Sequence, residues 1–183
     1  MNRFWRLVYV KRADYYAIKI SKHIKNGDKV LDVGAGSGYL GEIINKKANA
    51  TLVDIVDYNQ TKLPLITFDG KRLPFKDNSF DVALLIAVLH HTSNPEKFLE
   101  EVKRVSKKII IIEEVYKTIL SRLFMDLWEW FWNKTTNIET YYNFHSSKGW
   151  KQIFENINMK LKYEEEFASS LKTLTMNMFV IVK

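Results

Sequence analysis

The apolar positions change period several times along the chain. Residues 3–25 contain no Gly or Pro and mix aromatic, aliphatic and basic side chains, which predicts a helix. At about 100° per residue, Lys11, Arg12, Lys19 and Lys22 share one arc, while Tyr9, Ala13, Tyr16, Ile20 and Ile24 lie on another. Asn26-Gly27-Asp28 should end it, with Gly27 supplying the turn. From there short β-branched runs alternate with helical ones. Lys29–Val33 predicts a strand, Gly38–Lys47 a helix, Ala50–Val53 a second strand and Leu65–Phe68 a weaker third. Val82–Ala87 is fully apolar, as a buried strand would be. Pro95–Val105 puts Phe98, Leu99, Val102 and Val105 on one helical face, with Asn94 as cap and Pro95 in the first position. Ile109–Ile112 reads as a strand covered on both sides. Strands alternating with helices over residues 29–113 predict a parallel sheet with right-handed crossovers.

Residues 116–150 hold ten of the chain's 25 aromatic side chains and predict one or two helices. On such a helix Trp128, Phe131 and Trp132 share a side and Trp130 points elsewhere. Gly149–Ile157 predicts a further amphipathic helix. Leu161–Phe167 and Leu174–Val182 read as strands, and the link around Ser169-Ser170 is too short for a helical crossover, so the pair should be antiparallel. No repeat or interdomain linker is visible. The expectation is a single domain, 1–183, with a basic N-terminal helix over 1–28 and an aromatic-rich helical lid or insertion over 116–150.

The formal charge of +7 is uneven: residues 1–29 carry a net +6 and the remainder a net +1. A basic helix of this kind suits RNA or an anionic membrane surface, and its alternative is a solvated helix face. Absence of cysteine excludes disulfides, thiolate metal sites and a cysteine nucleophile, and fits a reducing cytoplasm. No stretch approaches the roughly 20 apolar residues of a membrane span. The N-terminal run is short, broken by charge and followed by no small-residue cleavage site, so no signal peptide is expected.

The chemistry concentrates in Val30-Leu31-Asp32-Val33-Gly34-Ala35-Gly36-Ser37-Gly38, an apolar strand running into three glycines before a helix. Glycine serves where the backbone takes positive φ or approaches a ligand closely, and a helix start presents unpaired N–H groups. A dinucleotide loop would need G-x-G-x-x-G at once after the strand; counted from Gly34 the third glycine would fall at Tyr39. The frame Gly36, Gly38, Gly41 does fit, two residues late. Asp32 would repel a pyrophosphate but not a ligand carrying an ammonium group. Asp54 closes the second strand, where a carboxylate reaches ribose hydroxyls in nucleotide-binding α/β folds. Asp69-Gly70 follows the third strand, where a carboxylate can accept from an adenine amino group. Each Asp alone reads as a turn or cap residue; three at successive strand ends beside a glycine loop point to one crevice.

Together V-L-D-V-G-A-G-S-G, L-V-D-I and D-G-K-R-L-P-F-K-D-N-S-F-D-V-A-L-L-I-A-V-L-H-H resemble the class I S-adenosylmethionine-dependent methyltransferases, in particular the type 11 group that includes ubiquinone and menaquinone biosynthesis enzymes. The resemblance covers residues 29–113 well and the rest loosely. It implies an α/β Rossmann-like, seven-stranded, mostly parallel sheet of order 3-2-1-4-5-7-6, with strand 7 antiparallel and helices on both faces. It implies S-adenosyl-L-methionine as cofactor, with Asp32, Gly34, Ala35, Gly36 and Gly38 along its methionine half. Asp54, with Ile55, would serve the ribose and Asp69-Gly70 the adenine; Ile86 and Ala87 would pack on the sulfonium side. Two departures stand out. Ser106-Lys107-Lys108 replaces the group's usual Pro-Gly-Gly turn, which shortens a loop, and no Asn-Pro-Pro-Tyr-type sequence follows strand 4, which disfavours adenine N6 or glutamine amide methylation.

Methyl transfer needs no metal, and none is suggested. His90 and His91, just past strand 4, are the candidate general bases; their alternative is shaping the rim. The acceptor is expected to be small, lipid-like or otherwise apolar. The aromatic segment could be a lid, an apolar pocket, a dimer interface or a membrane contact. Three other functions stay open: an RNA methyltransferase, a module that binds the cofactor without catalysis, and an NAD-dependent oxidoreductase. The sequence does not fix an oligomeric state.

Overall fold

The computed structural model describes residues 3–136, 141–170 and 174–183, and of 128, 129 and 131–136 the backbone alone. In chain order the elements are α1 (Arg3–Ile20), β1 (Lys29–Val33), α2 (Tyr39–Ile44), β2 (Asn49–Asp54), β3 (Leu65–Thr67), β4 (Phe80–Ile86), α3 (Pro95–Val105), β5 (Ser106–Glu114), α4 (Ile119–Thr136), α5 (Ser147–Asn156), β6 (Lys160–Ala168) and β7 (Thr175–Val182). The seven strands form one sheet of order β3-β2-β1-β4-β5-β7-β6. β7 runs antiparallel to both of its neighbours and the other pairings are parallel.

Two apolar layers hold the sheet. Ala13, Tyr16, Ala17 and Ile20 of α1, with Leu40 and Ile44 of α2, cover Val30, Val82, Leu84, Ile110 and Ile112 on one face. Phe98, Leu99 and Val102 of α3, with Trp150 and Phe154 of α5, cover Leu31, Ala83, Leu85, Ile109 and Ile111 on the other. All four isoleucines of β5 are fully buried, as their unbroken run requires. Asn94 caps α3 by accepting from the Lys97 N–H at 2.9 Å, with Pro95 at its start.

Three expectations need correction. α1 stops at Ile20 rather than residue 25; residues 21–23 tighten into a 3-10 turn, where the Ser21 hydroxyl donates back to the Ile18 carbonyl, and Ile24 is extended. β4 ends at Ile86, because Ala87 turns into the left-handed region at φ 56°. The connection at Ser106-Lys107-Lys108 is shortened to nothing: Ser106 ends α3 and begins β5, its hydroxyl donating to the Val102 carbonyl at 2.8 Å. Finally, the β2–β3 and β3–β4 connections contain no helix, so helices do not follow every strand.

The L-P-F segment of the β3–β4 connection is held from α3. Arg104 donates to the carbonyls of Leu73 and Phe75 and to the carboxylates of Glu101 and Asp77. Glu101 in turn accepts from the Leu73 N–H at 2.8 Å. Leu73 is thereby set into the core.

Candidate active site

β1 and β4 sit side by side at the centre of the sheet, where the chain order reverses. Ligands of open α/β sheets bind outside the strand C-termini at such a point. The glycine loop leaves β1 there. The Gly34 and Ala35 N–H groups donate to the Val53 carbonyl at 2.9 and 3.1 Å, which binds the loop to the end of β2. The Gly36 N–H donates to Asp54 Oδ2 at 2.7 Å, while Asp54 Oδ1 accepts from the Ile55 N–H at 2.7 Å.

Two of the glycines are required for different reasons. Gly34 has φ 69°, and a Cβ there would lie 2.6 Å from a methyl of Val88. Gly36 has φ 53° with open space where a Cβ would be, so its constraint is conformational and the loop crest is left clear. Gly38 opens α2 in the left-handed region, beside the Asn59 side chain. The β2–β3 connection closes over this loop: the Gln60 N–H donates to the Ser37 carbonyl at 3.1 Å, and Asn59 Nδ2 to the Leu63 carbonyl at 2.6 Å.

Asp32 lies beneath the loop, only 3% exposed. Its Oδ2 is buried with no hydrogen-bond partner among the described residues. Burial, then the charge of Asp54, push its pKa up to about 7, and the Gly41 backbone N–H works weakly against them. Two carboxylates near enough for the charge of one to raise the pKa of the other favour a cation beside them. Asp69 is exposed, and its Oδ1 accepts from the Lys71 and Arg72 N–H groups at 2.8 and 2.9 Å. Those bonds hold its carboxyl below the ordinary range. Gly70 approaches exposed Ile55 closely enough that a Cβ would meet its methyl at 3.2 Å. The ends of β1, β2 and β3 therefore meet along one rim.

The β4 end supplies the other wall. Ile86 is partly buried, and Ala87 donates its N–H to the Ile112 carbonyl at 2.8 Å while holding a conformation that costs an L-residue about 1–2 kcal/mol. His90 and His91 follow in a 3-10 turn with their rings 4.1 Å apart. His90 is buried, stacked on Phe144 at 5.0 Å, and its Nδ1 lies 2.7 Å from Glu113 Oε2. Glu113, fully buried at the end of β5, also accepts from the Val88 and Leu89 N–H groups at 2.8 and 2.7 Å. Nδ1 is thus a third nitrogen on a carboxylate that already receives two backbone donors.

Sequence reasoning passed over Glu113, Val88, Phe144 and the part of the strap at 56–64. Glu113 had a signal: an acid that continues a strand buried on both sides must have a partner. Val88 and the strap had none, since their roles depend on which side chain fills the space beside a particular glycine. Side chains of Trp128, Phe131 and Trp132 lie outside the described residues; Trp130 is about half exposed.

Comparison with known proteins agrees with this arrangement. Residues 31–110 match the family described as methyltransferase domain. An uncharacterised protein of Methanocaldococcus jannaschii is 40% identical over 95 residues, covering 48% of this chain and 36% of that protein. The ubiquinone/menaquinone biosynthesis C-methyltransferase of Cupriavidus metallidurans is 28% identical over 131 residues, covering 62% of this chain and 50% of that enzyme. The chain thus spans half the length or less of these relatives. A SAM-dependent methyltransferase of Methanosarcina mazei shares the fold, with a TM-score of 0.70 at 20% identity over 90% of this chain and 96% of that one. Residues 31–110 are thus similar to the methyltransferase domain family, and the chain shares the fold of SAM-dependent methyltransferases. S-adenosylmethionine is the cofactor that this likeness implies.

Proposed function

We propose that the chain transfers a methyl group from S-adenosylmethionine to a small, apolar acceptor. The observation that carries the reading is the pairing of a clear glycine crest, tied to Asp54, with a buried carboxylate oxygen of Asp32 that lacks a partner. Such residues fit a ligand that is cationic at one end and bears hydroxyls at the other. Asp32 and the loop Gly34, Ala35, Gly36 and Gly38 would hold the methionine half; Asp54 and Ile55 the ribose; Asp69 and Gly70 the adenine; Ile86 and Ala87 the sulfonium side. When bound, the cofactor supplies an electrophilic methyl on sulfur.

The protein's own part is orientation and proton handling. Orientation of two reactants can supply about 7–11 kcal/mol in favourable cases. Where the acceptor must lose a proton, the His90 imidazole receives it, and Glu113, 2.7 Å from Nδ1, stabilises the cation that results. His91 stacks behind as rim. An apolar acceptor is supported by the likeness to a ubiquinone/menaquinone biosynthesis C-methyltransferase.

Isothermal titration with S-adenosylmethionine, S-adenosylhomocysteine and NAD tests the cofactor. Both sulfur compounds should bind and NAD should not, with Asp54→Asn weakening them by roughly 1–3 kcal/mol. Preferential binding of NAD would overturn the reading. A menaquinone precursor is the first acceptor to try. If it is methylated, His90→Ala should lower turnover about 100-fold or more while cofactor affinity stays put; unchanged turnover removes His90 from the chemistry.

A further inference from the structure

We propose that the edge of the sheet above the strand C-termini docks on an anionic lipid bilayer through α1 and α4. The inference concerns a surface and stands apart from the chemistry at the glycine loop.

The register places both helices at that edge. β6 runs parallel to β5, because each is antiparallel to β7, so Ala168 sits at the same edge as the end of β5. α1 climbs along β6 towards it: Lys19 and Lys22 bind Glu165, and further up the Tyr15 hydroxyl donates to the Ala168 carbonyl. Ala13, Tyr9 and Val10 still pack on the core, and from Tyr9 back to Arg3 the helix continues about 9 Å further, at 1.5 Å per residue. Residues 3–7 are exposed there, Phe4, Trp5 and Leu7 together with Arg3 and Arg6. α4 departs from the same corner, where Lys117 pairs with Glu166 at 2.5 Å.

α4 turns its apolar side outward. Met125 is buried, whereas Ile119, Leu120, Leu123, Phe124 and Leu127 are each more than half exposed. At 100° per residue these five occupy an arc of about 140°, with Arg122 and Asp126 to one side of it. No charged residue interrupts the arc over 119–127.

Charge selects the occupant. Residues 1–13 carry Arg3, Arg6, Lys11 and Arg12 and no acid. A second copy would bring the same cations face to face, which opposes self-association. A single-stranded RNA stacks on aromatic platforms, and the arc on α4 is mainly Ile and Leu. An apolar helical face beside arginines and lysines matches an anionic headgroup layer with acyl chains beneath it. No helix among the described residues is long and apolar enough to cross a membrane, so the contact is interfacial.

The test is co-sedimentation of the full chain with vesicles of phosphatidylcholine alone or mixed with phosphatidylglycerol, over a salt series. Wild type should bind the mixed vesicles, weakening as salt rises. Leu120→Ser/Leu123→Ser and Arg3→Glu/Arg6→Glu should each weaken partitioning about tenfold or more, with thermal unfolding and S-adenosylmethionine affinity unchanged. Three outcomes overturn the proposal: no binding to anionic vesicles by folded wild type, equal binding by the folded variants, or a leucine-dependent dimer in sedimentation equilibrium that forms in place of vesicle binding. Loss of cofactor binding in the wild type would instead bear on the methyltransferase reading alone.

Discussion

The ligand-facing edge of this protein is finished in two ways. At the β1–β3 end, loops are tied to one another by backbone hydrogen bonds: the glycine turn to Val53 and Asp54, the strap at 55–64 to Ser37, and Asp69 to its own following amides. At the α1–α4 end, the helices leave the sheet and hold large apolar side chains in the open. The first end has its geometry settled within the chain. The second leaves apolar surface exposed among the described residues. A fixed pocket beside an open face is the arrangement expected where the cofactor is constant and the acceptor arrives from elsewhere.

The contrast can be broken hardest at Gly34. Gly34→Ala adds a left-handed penalty and a clash with Val88, so stability should fall by about 2–4 kcal/mol, or roughly 5–15 °C in Tm, with cofactor binding lost. Adding Val88→Ala should restore the part due to the clash and leave the part due to φ. Calorimetry of the single and double variants checks both; additive losses would refute the contact.

A smaller effect belongs to Asp32. Its folded pKa, about 7, stands above the unfolded value of 3.8, so the ionised form opposes folding and the cost grows as pH rises from about 4 to 7. Without ligand, Asp32→Asn should therefore gain on wild type by roughly 1–3 kcal/mol between pH 5 and pH 8. Wild-type affinity for S-adenosylmethionine should tighten over the same range and the variant's should not. Parallel pH profiles for the two proteins would remove Asp32 from the cation site. The smallest effect is expected at the open end. Leu120→Ser/Leu123→Ser should change unfolding free energy by no more than about 0.5 kcal/mol, since these side chains touch little. A loss of several kcal/mol in denaturant titration would mean that α4 is packed after all.

The same contrast decides what could be read from sequence. The strand order was implied by the resemblance of residues 29–113 to a family, whereas the strands and the antiparallel β6–β7 pair were legible because alternation, run length and the short Ser169-Ser170 link are local signals. So were the loop glycines and Asp32, Asp54 and Asp69, which stand at strand ends. Glu113 and His90 come together from 23 residues apart, a distance that no periodicity encodes. The end of α1 was overestimated because Ser21, Lys22 and His23 keep helical composition while the Ser21 hydroxyl takes a backbone carbonyl. The openness of α4 was not legible either: an amphipathic stripe has the same sequence whether the chain covers it or not.

The hold that Arg104 and Glu101 exert on residues 73–75 carries a consequence for the order of folding. That stretch lies outside any strand, and its anchoring bonds come from side chains 28 to 31 positions later. It cannot settle until α3 has wound and met the growing sheet. Residues 73–75 are therefore expected to gain amide protection late in refolding, after the parallel centre, in pulsed hydrogen exchange.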